Sequence, residues 1–420
     1  MRDFLAEFVH KKITGGVDIY ASHWPDWPRE RTAIIVHAGI LQDKKGLEGT
    51  AHLLEHLITY GGKARGDDKM YEFFQKPGGD IDQATRMLAT KFNFFGPPES
   101  NHLAKSLDLA SGFLFKFPAN KKLLKKEKEI VGGELRKKYS MQCALNNEIR
   151  ENKILFSKTP LERCILPHQG LPETIDAISA ADLSDWHRQY YVPANISIVA
   201  AGGLPIKEVF RLIAASPFSV IGGERVKLTE PLAELPPLTE NRFDFKLGDY
   251  IKKVAGINTS RLRISAALPG TISEKALDLC CDMILAAMNQ EIRERLHLSY
   301  GCTVEYACCK ALHTITMELD DLSPGSLMAT KQLAKSVLAC LSDNKKAFEA
   351  KKQKLLNQMK LVDYNVDGLT EDAIDELTQN QRLPTRAQLM VEMEAVTMKD
   401  VRKVFSHLTR DRLWIMTQRP

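Results

Sequence analysis

The chain has 420 residues, 44% of them hydrophobic, which is enough for two to three domains with sizeable cores. Its formal net charge of +5 is mild for that length and no RNA- or DNA-binding motif accompanies it, so nucleic acid is not an expected partner. No run of eighteen apolar residues occurs and the opening Met1-Arg-Asp-Phe-Leu has no apolar leader core, so neither a membrane helix nor a secretion signal is expected.

In chain order, residues 3–13 and 17–24 read as a hairpin around Gly15-Gly16, and the β-branched run 31–38 as an inner strand. A helix is expected from about residue 50, then a short one over 67–75 stopped by Pro77-Gly78-Gly79. Residues 80–86 and 89–95 alternate as paired strands. Helices follow at 102–115, 121–139 and 182–191, then an apolar strand at 195–201. The proline- and glycine-rich stretch 217–237 reads as a linker. Beyond it come a strand at 262–268, a long helix at 275–296, a hairpin over 302–308 and 313–319, helices at 327–341 and 345–361, a shorter helical pair and a last strand at 413–416. Lysines at 121–128 and 345–360 alternate with apolar residues, as on solvated faces of amphipathic helices. Eight cysteines include no C-x-x-C pair. The doublets Cys280/Cys281 and Cys308/Cys309 suggest buried thiols and a reducing, cytoplasmic setting.

The halves echo one another. Ala177-Ile-Ser-Ala-Ala-Asp182-Leu resembles Ala395-Val-Thr-Met-Lys-Asp400-Val, offset by 218 residues. Each offers a helix-capping Ser or Thr with Asp three later, and each helix runs into an apolar strand. This pattern predicts two similarly folded halves.

One stretch carries chemistry. His52-Leu53-Leu54-Glu55-His56 places two imidazoles and a carboxylate on one face of a helix that Thr50 is placed to cap. Neutral imidazoles four apart can hold one Zn²⁺, and Glu55 between them is placed to take a proton from an attacking water. The order is the inverse of the commoner zinc-protease motif. A surface helix with two solvated histidines is the competing reading. Zinc needs a further protein ligand, and Glu127 and Glu134, seven apart and so on one helical face, are available downstream. Set among Lys125, Lys126 and Lys128, they equally suit a charged surface helix.

These residues resemble the pitrilysin family, which includes the mitochondrial processing peptidases and insulin-degrading enzyme. Gly49-Thr-Ala-His-Leu-Leu-Glu-His-Leu57 is similar to its Gly-x-Ala-His-x-x-Glu-His-hydrophobic stretch, and Glu134, 78 residues after His56, stands where that family has its third zinc ligand. Glu127 takes the place of an accessory glutamate seven residues earlier. Arg293 and Tyr300 resemble an Arg–Tyr pair, carried by a non-zinc domain, that contacts the substrate and its tetrahedral intermediate. Gly78-Gly-Asp-Ile-Asp82-Gln-Ala84-Thr85 stands where the family usually has Gly-Gly-x-x-Asn-Ala-x-Thr on a substrate-pairing edge strand. Asp82 departs from that pattern, because an ionised carboxylate only accepts where an amide also donates. The contact is then remade through water, or the substrate carries a basic group there. His297, His37 and His187 have no partners at ligand spacing and read as solvated or core imidazoles.

The resemblance implies an α+β fold of two similar domains, each an antiparallel-rich sheet with helices on one face. Residues 1–216 would carry the metal, 217–237 the linker and 238–420 the Arg–Tyr pair. One Zn²⁺ per chain would sit on His52, His56 and Glu134, with Glu55 as base, Glu127 orienting, Arg293 and Tyr300 steadying the oxyanion, and Asp82, Ala84 and Thr85 along the substrate. The implied activity is a zinc endopeptidase acting on peptides or small unfolded polypeptides held extended in a closed chamber. The alternatives are a maturation protease for one ribosomally made peptide, acting with a related subunit, and a non-catalytic structural subunit. A chain of this length is half of the four-domain clamshell of the long relatives, which implies a homodimer, or a heterodimer with a related chain.

Overall fold

The computed structural model describes residues 8–64, 69–74, 78–117, 121–138, 142–220, 222–236, 243–246, 258–299, 301–323, 325–360, 366–408 and 413–419. Contacts divide the chain into two units. Unit 1 comprises residues 1–149, 166–228 and 363–386; unit 2 comprises 150–165, 229–362 and 387–420.

Unit 1 is built on a six-stranded sheet of β1 (Val9–Lys12), β2 (Asp18–His23), β3 (Glu30–Val36), β4 (Asp80–Thr85), β5 (Thr90–Gly96) and β6 (Ile196–Gly202), in the spatial order β1-β2-β6-β3-β5-β4. All neighbours are antiparallel except β2 and β6. The expected first hairpin is the β1–β2 pair, and Gly16 takes the left-handed φ of +88° that its tight turn requires. Strand β3 is buried on both faces, and its side chains alternate between two coverings. Ile34 and Val36 join the main core with Leu53, Leu54 and Leu57 of α1 (Thr50–Ala64) and with Leu103, Leu107 and Phe113 of α3 (Ser100–Leu114). The short α2 (Lys69–Phe74) adds Phe74 to the same core. On the opposite face Arg31 meets a helix far along the chain, Val366–Asn380: it donates to the Asp367 carbonyl at 3.0 Å and to Glu371, which also pairs with Lys91.

Unit 2 has a five-stranded sheet of β7 (Phe243–Lys246), β8 (Ser260–Pro269), β9 (Cys302–Cys309), β10 (Leu312–Leu322) and β11 (Leu413–Arg419), in the order β7-β11-β8-β10-β9. Here β7 and β11 are the parallel pair. This is the unit 1 pattern without β1, strand for strand, so the repeat read from two short segments extends through both sheets. Its main core joins β8 and β10 to the helices Glu274–Met288, Leu327–Leu341, Lys345–Lys360 and Met398–His407. The second face is again covered by a helix from the other half of the chain, through the C-terminal part of α5 (Gln142–Phe156): Glu151 receives Arg263 Nε at 3.0 Å and the Ser265 hydroxyl, and Ile154 packs on Trp414 and Met416.

Both capping boxes form. Ser179 Oγ accepts from the Asp182 amide while the Asp182 carboxylate receives the Ser179 amide at 2.9 Å, and Thr397 and Asp400 repeat this. Two sequence expectations change. The helix expected over 275–296 is α-helical only over Glu274–Met288, and Asn289–Arg295 continues it with π geometry. Residues 217–228, expected as linker, pack into unit 1: Phe218 is fully buried, and Arg225 donates to the carbonyls of Ala194 and Ile196 and pairs with Asp18. No disulfide occurs among the described residues, and Cys280, Cys281, Cys302 and Cys309 are buried. No described helix is long and apolar enough to cross a membrane.

Candidate metal centre

Helix α1 carries the motif, and its start is fixed by a residue other than Thr50. The Thr50 hydroxyl donates to the Leu47 carbonyl, whereas the buried Asp43 carboxylate accepts from the amides of Gly49 at 2.9 Å and Ala51 at 3.0 Å. Asp43 therefore occupies the first unsatisfied donors of the helix, the task expected of Thr50. Burial pushes its carboxyl up to about 7, against the pull of these amides. Gly49 has φ +99°, and a Cβ there would lie 2.6 Å from the Gln169 carbonyl oxygen, so only glycine suits the approach.

From that start the helical period turns His52, Glu55 and His56 to one side, where all three are buried. The 18-residue helix α4 (Lys121–Lys138) brings two glutamates to them. Glu134 Oε2 lies 3.7 Å from His52 Nε2, and its Oε1 lies 3.5 Å from His56 Nε2. Glu127, almost wholly buried, accepts from His56 Nδ1 at 3.3 Å. On the other side Thr85, the last residue of β4, donates its hydroxyl to Glu55 Oε2 at 2.8 Å.

One ligand atom from each of His52, His56 and Glu134 lies within 4.8 Å of the others. Four ligands about 2.1 Å from a tetrahedral Zn²⁺ stand about 3.4 Å apart, so this slightly open triad of two imidazoles and a carboxylate suits zinc after a small contraction. Protonation favours the same use at His52, whereas at His56 a metal must displace the Nε2 proton. Burial, then the neighbouring imidazoles, pushes His52 down to about 3, leaving a neutral ring with a free lone pair. Burial opposes charge on His56 too, but the Glu127 hydrogen bond and the carboxylates of Glu134 and Glu55 hold it above the usual imidazole range. Fixing Nδ1–H against Glu127 leaves Nε2 for the metal. Burial raises Glu55, which makes it a stronger base once ionised.

The remaining expected residues fall as follows. Ala84 and Asp82 alternate with Thr85 along β4, and the Asp82 carboxylate accepts from Asn93 Nδ2 at 3.2 Å. Arg293 is exposed in the π-helical segment of unit 2, and Tyr300 lies outside the described residues. His37 and His187 are core imidazoles, bonded to the Ser197 hydroxyl at 2.8 Å and the Leu114 carbonyl at 2.7 Å, and His297 is exposed with φ +49°. Sequence reading missed His168, whose ring meets that of His52 edge-on at 5.3 Å. It sits in an irregular turn far from the motif, where no periodicity marks it.

A buried His-x-x-Glu-His helix completed by a glutamate from a second helix, on a paired-sheet α+β chain, defines the inverzincin class of metallopeptidase sites. The chain belongs to peptidase family M16: residues 23–166 match the model for Insulinase (Peptidase family M16) and residues 177–355 that for the Peptidase M16 inactive domain, together more than three quarters of the chain. Among curated relatives, it is 26% identical over 230 residues to Coenzyme PQQ synthesis protein F of Pseudomonas putida, covering 54% of this chain and 29% of that one. It is 23% identical over 415 residues to the probable mitochondrial-processing peptidase subunit beta of Arabidopsis thaliana, covering 90% and 71%. The fold matches the crystal structure of a putative M16-like peptidase from Alicyclobacillus acidocaldarius with a TM-score of 0.80 at 17% identity, over 99% of this chain and 98% of that one.

Proposed function

We propose that the chain is a zinc-dependent endopeptidase that cuts peptides or small unfolded polypeptides lying extended along β4. The observation that carries this reading is the Thr85–Glu55 hydrogen bond. It joins β4, which ends the sheet's strand order among the described residues and so offers an edge for strand addition, to the base between the two histidines proposed to hold the metal. Zinc held by His52, His56 and Glu134 supplies Lewis acidity and lowers the pKa of water toward neutrality. Glu55 takes the proton of the attacking water and delivers it to the leaving amine. Thr85 keeps that carboxylate aimed, and Glu127 fixes the His56 ring. A second chain closes the site: Arg293 and Tyr300 of one copy meet the substrate at the zinc of the other, in a two-fold dimer.

Glu55→Gln is expected to keep about one zinc per chain by elemental analysis and to lose on the order of a hundredfold or more in peptide hydrolysis. Glu134→Gln loses the metal as well. Near-wild-type turnover in the first, or full zinc in the second, overturns the assignment. For the dimer, Glu55→Gln protein is mixed under subunit exchange with an impaired Arg293→Ala variant. Activity should return, because one site of each mixed dimer keeps every group; mixed dimers that form and stay inactive refute the shared site.

A further inference from the structure

Helix α1 starts at Thr50, only two residues before His52. The first turn of a helix is its least self-supporting part, because its amides have no intrahelical partner. His52 would offer its imidazole to a metal from that turn, whereas His56 stands one turn further in.

The support for the first turn comes from the loop 43–49. Asp43 is only 2% exposed, and its two carboxylate oxygens take two different amides: Oδ2 that of Gly49 at 2.9 Å, Oδ1 that of Ala51 at 3.0 Å. Ala51 directly precedes His52. The loop is closed within itself, by the Leu47 amide on the Lys44 carbonyl at 2.9 Å and by the Gly46 amide on the Glu48 carboxylate at 3.0 Å. It is also pinned from outside, since Thr174 of α6 (Pro172–Ala177) donates its hydroxyl to the Glu48 carbonyl at 2.8 Å. Asp43 is thus a fixed point against which the head of α1 is held. An ionised carboxylate suits the task because both oxygens only accept. Protonation puts a hydrogen on one of them, and an amide puts an NH2 there, so either change leaves one helix N–H with a poorer partner.

We infer that Asp43 is a positioning residue for the metal: charged, it clamps the first turn of α1 with His52 in place, and neutral, it lets that turn and the zinc loosen together. The inference rests on the zinc reading of His52, His56 and Glu134. It goes beyond that reading by making metal retention answer to a group that is not a ligand. Linkage requires the converse, and a divalent cation at His52 does favour the charged form of a carboxylate behind the preceding amide. The mechanical and the Coulombic contributions therefore have the same sign.

The surroundings of Asp43 place this loss near neutrality. Burial pushes its carboxyl up to about 7, against the amides of Gly49 and Ala51 and with a smaller push from Glu48. Tyr190 of α7 (Ala180–Tyr190) also faces it, with a phenol that burial keeps neutral. Lys44, next in sequence, acts on Asp182 of the same helix. The carboxylate is charged above that pH, so zinc affinity gains from it fully by about pH 8 and loses it as pH falls through 7. Folding stability runs the other way, since a raised value means that burying the charge costs more than the amides return.

The test is zinc affinity by chelator competition, on full-length wild type, Asp43→Asn and Glu48→Gln, between about pH 5.5 and about pH 8.5. Asparagine is the neutral isostere. Near the upper pH Asp43→Asn should bind zinc about tenfold more weakly than wild type, and the gap should close toward the lower pH. Protonation of the histidines weakens zinc in both proteins and cancels in the ratio, so a merely structural role would give a ratio independent of pH. Glu48→Gln keeps an acceptor for the Gly46 amide and removes one push on Asp43. It should match wild type at the upper pH and bind zinc more tightly near pH 7, which decides the matter even if Asp43→Asn does not fold. A constant ratio, equal affinities throughout, or wild-type affinity near pH 7 in Glu48→Gln overturns the inference. A wild type that takes up no zinc at the upper pH refutes the metal reading itself, and the inference with it, so the two failures are told apart.

Discussion

The two sheets follow one strand order, and in each the first inner strand leads to a helix packed beside the edge strand: β3 to α1 beside β4 in unit 1, β8 to α9 (Glu274–Met288) beside β9 in unit 2. In α1 the third, sixth and seventh residues are His52, Glu55 and His56; in α9 they are Ala276, Leu279 and Cys280, all fully buried. The edge-strand link persists in altered form, as Thr85 to Glu55 in one and the Tyr306 hydroxyl to Asp278 in the other. The architecture thus does not make the site. Three side chains at fixed helical positions do, and placing them in a core requires partners that an apolar core does not need. Unit 1 supplies those partners from α4 and β4, and unit 2 fills the same positions with hydrocarbon and a thiol.

The comparison can be tested position by position. Leu279 holds the place that Glu55 holds in unit 1, so Leu279→Ala should cost about 2–5 kcal/mol of stability by denaturant unfolding and leave zinc content of the folded protein unchanged. A loss of zinc there would show that the units do not divide stability and chemistry as described. The next effect concerns the strand starts, Glu30 in β3 and Ser260 in β8, both buried. Burial pushes Glu30 from 4.5 up to about 7, against the Leu204 amide that it accepts at 3.1 Å. At low pH the carboxyl is protonated in both folded and unfolded chains. Between about pH 4.5 and 7 the unfolded chain releases its proton and the folded chain keeps it, so stability falls as pH rises through that window and levels off above it. Glu30→Gln should therefore be more stable than wild type at pH 8 by up to about 3 kcal/mol, with the gap closing by about pH 4. A gap independent of pH would remove Glu30 from the account. The smallest effect tests the partner from α4. Glu127→Gln should weaken zinc binding about tenfold to a hundredfold in a chelator competition, through the His56 ring it orients. Unaltered affinity would make Glu127 a bystander.

What the sequence disclosed follows the range of the interactions. His52, Glu55 and His56 were readable because their geometry depends on the helical period alone. Both capping boxes were readable for the same reason, closing over three residues. Thr50 misled because Asp43, outside the helix and separated from it by a loop, reaches the same amides. Three helices escaped the reading: α5, whose sequence Gln-Cys-Ala-Leu-Asn-Asn-Glu has a weak apolar stripe; the six-residue helix Pro172–Ala177, too short to show a period; and α8 (Ile206–Ala214), short but with Val209, Leu212 and Ile213 buried at helical spacing. The pairings of Thr85 with Glu55 and of Arg31 with Glu371 were not readable, since only the strand order brings them together. Gln169 and His168 lie in an irregular turn, where neither period applies.

The traded helices set an order of manufacture. A ribosome delivers β3, with Arg31, and β5, with Lys91, hundreds of residues before it delivers Glu371. Until then the nascent first sheet has one finished face and one that shows Ala33, Ile35 and a cation awaiting its carboxylate. The early segment 150–165 waits in the same way for strands β8 and β11. Neither half can reach its final state as an autonomous product, so a gene cut at the midpoint would yield two incomplete proteins that must find each other to finish folding. The half that carries His52, His56 and Glu134 depends on the half without them, and the two are inherited as one.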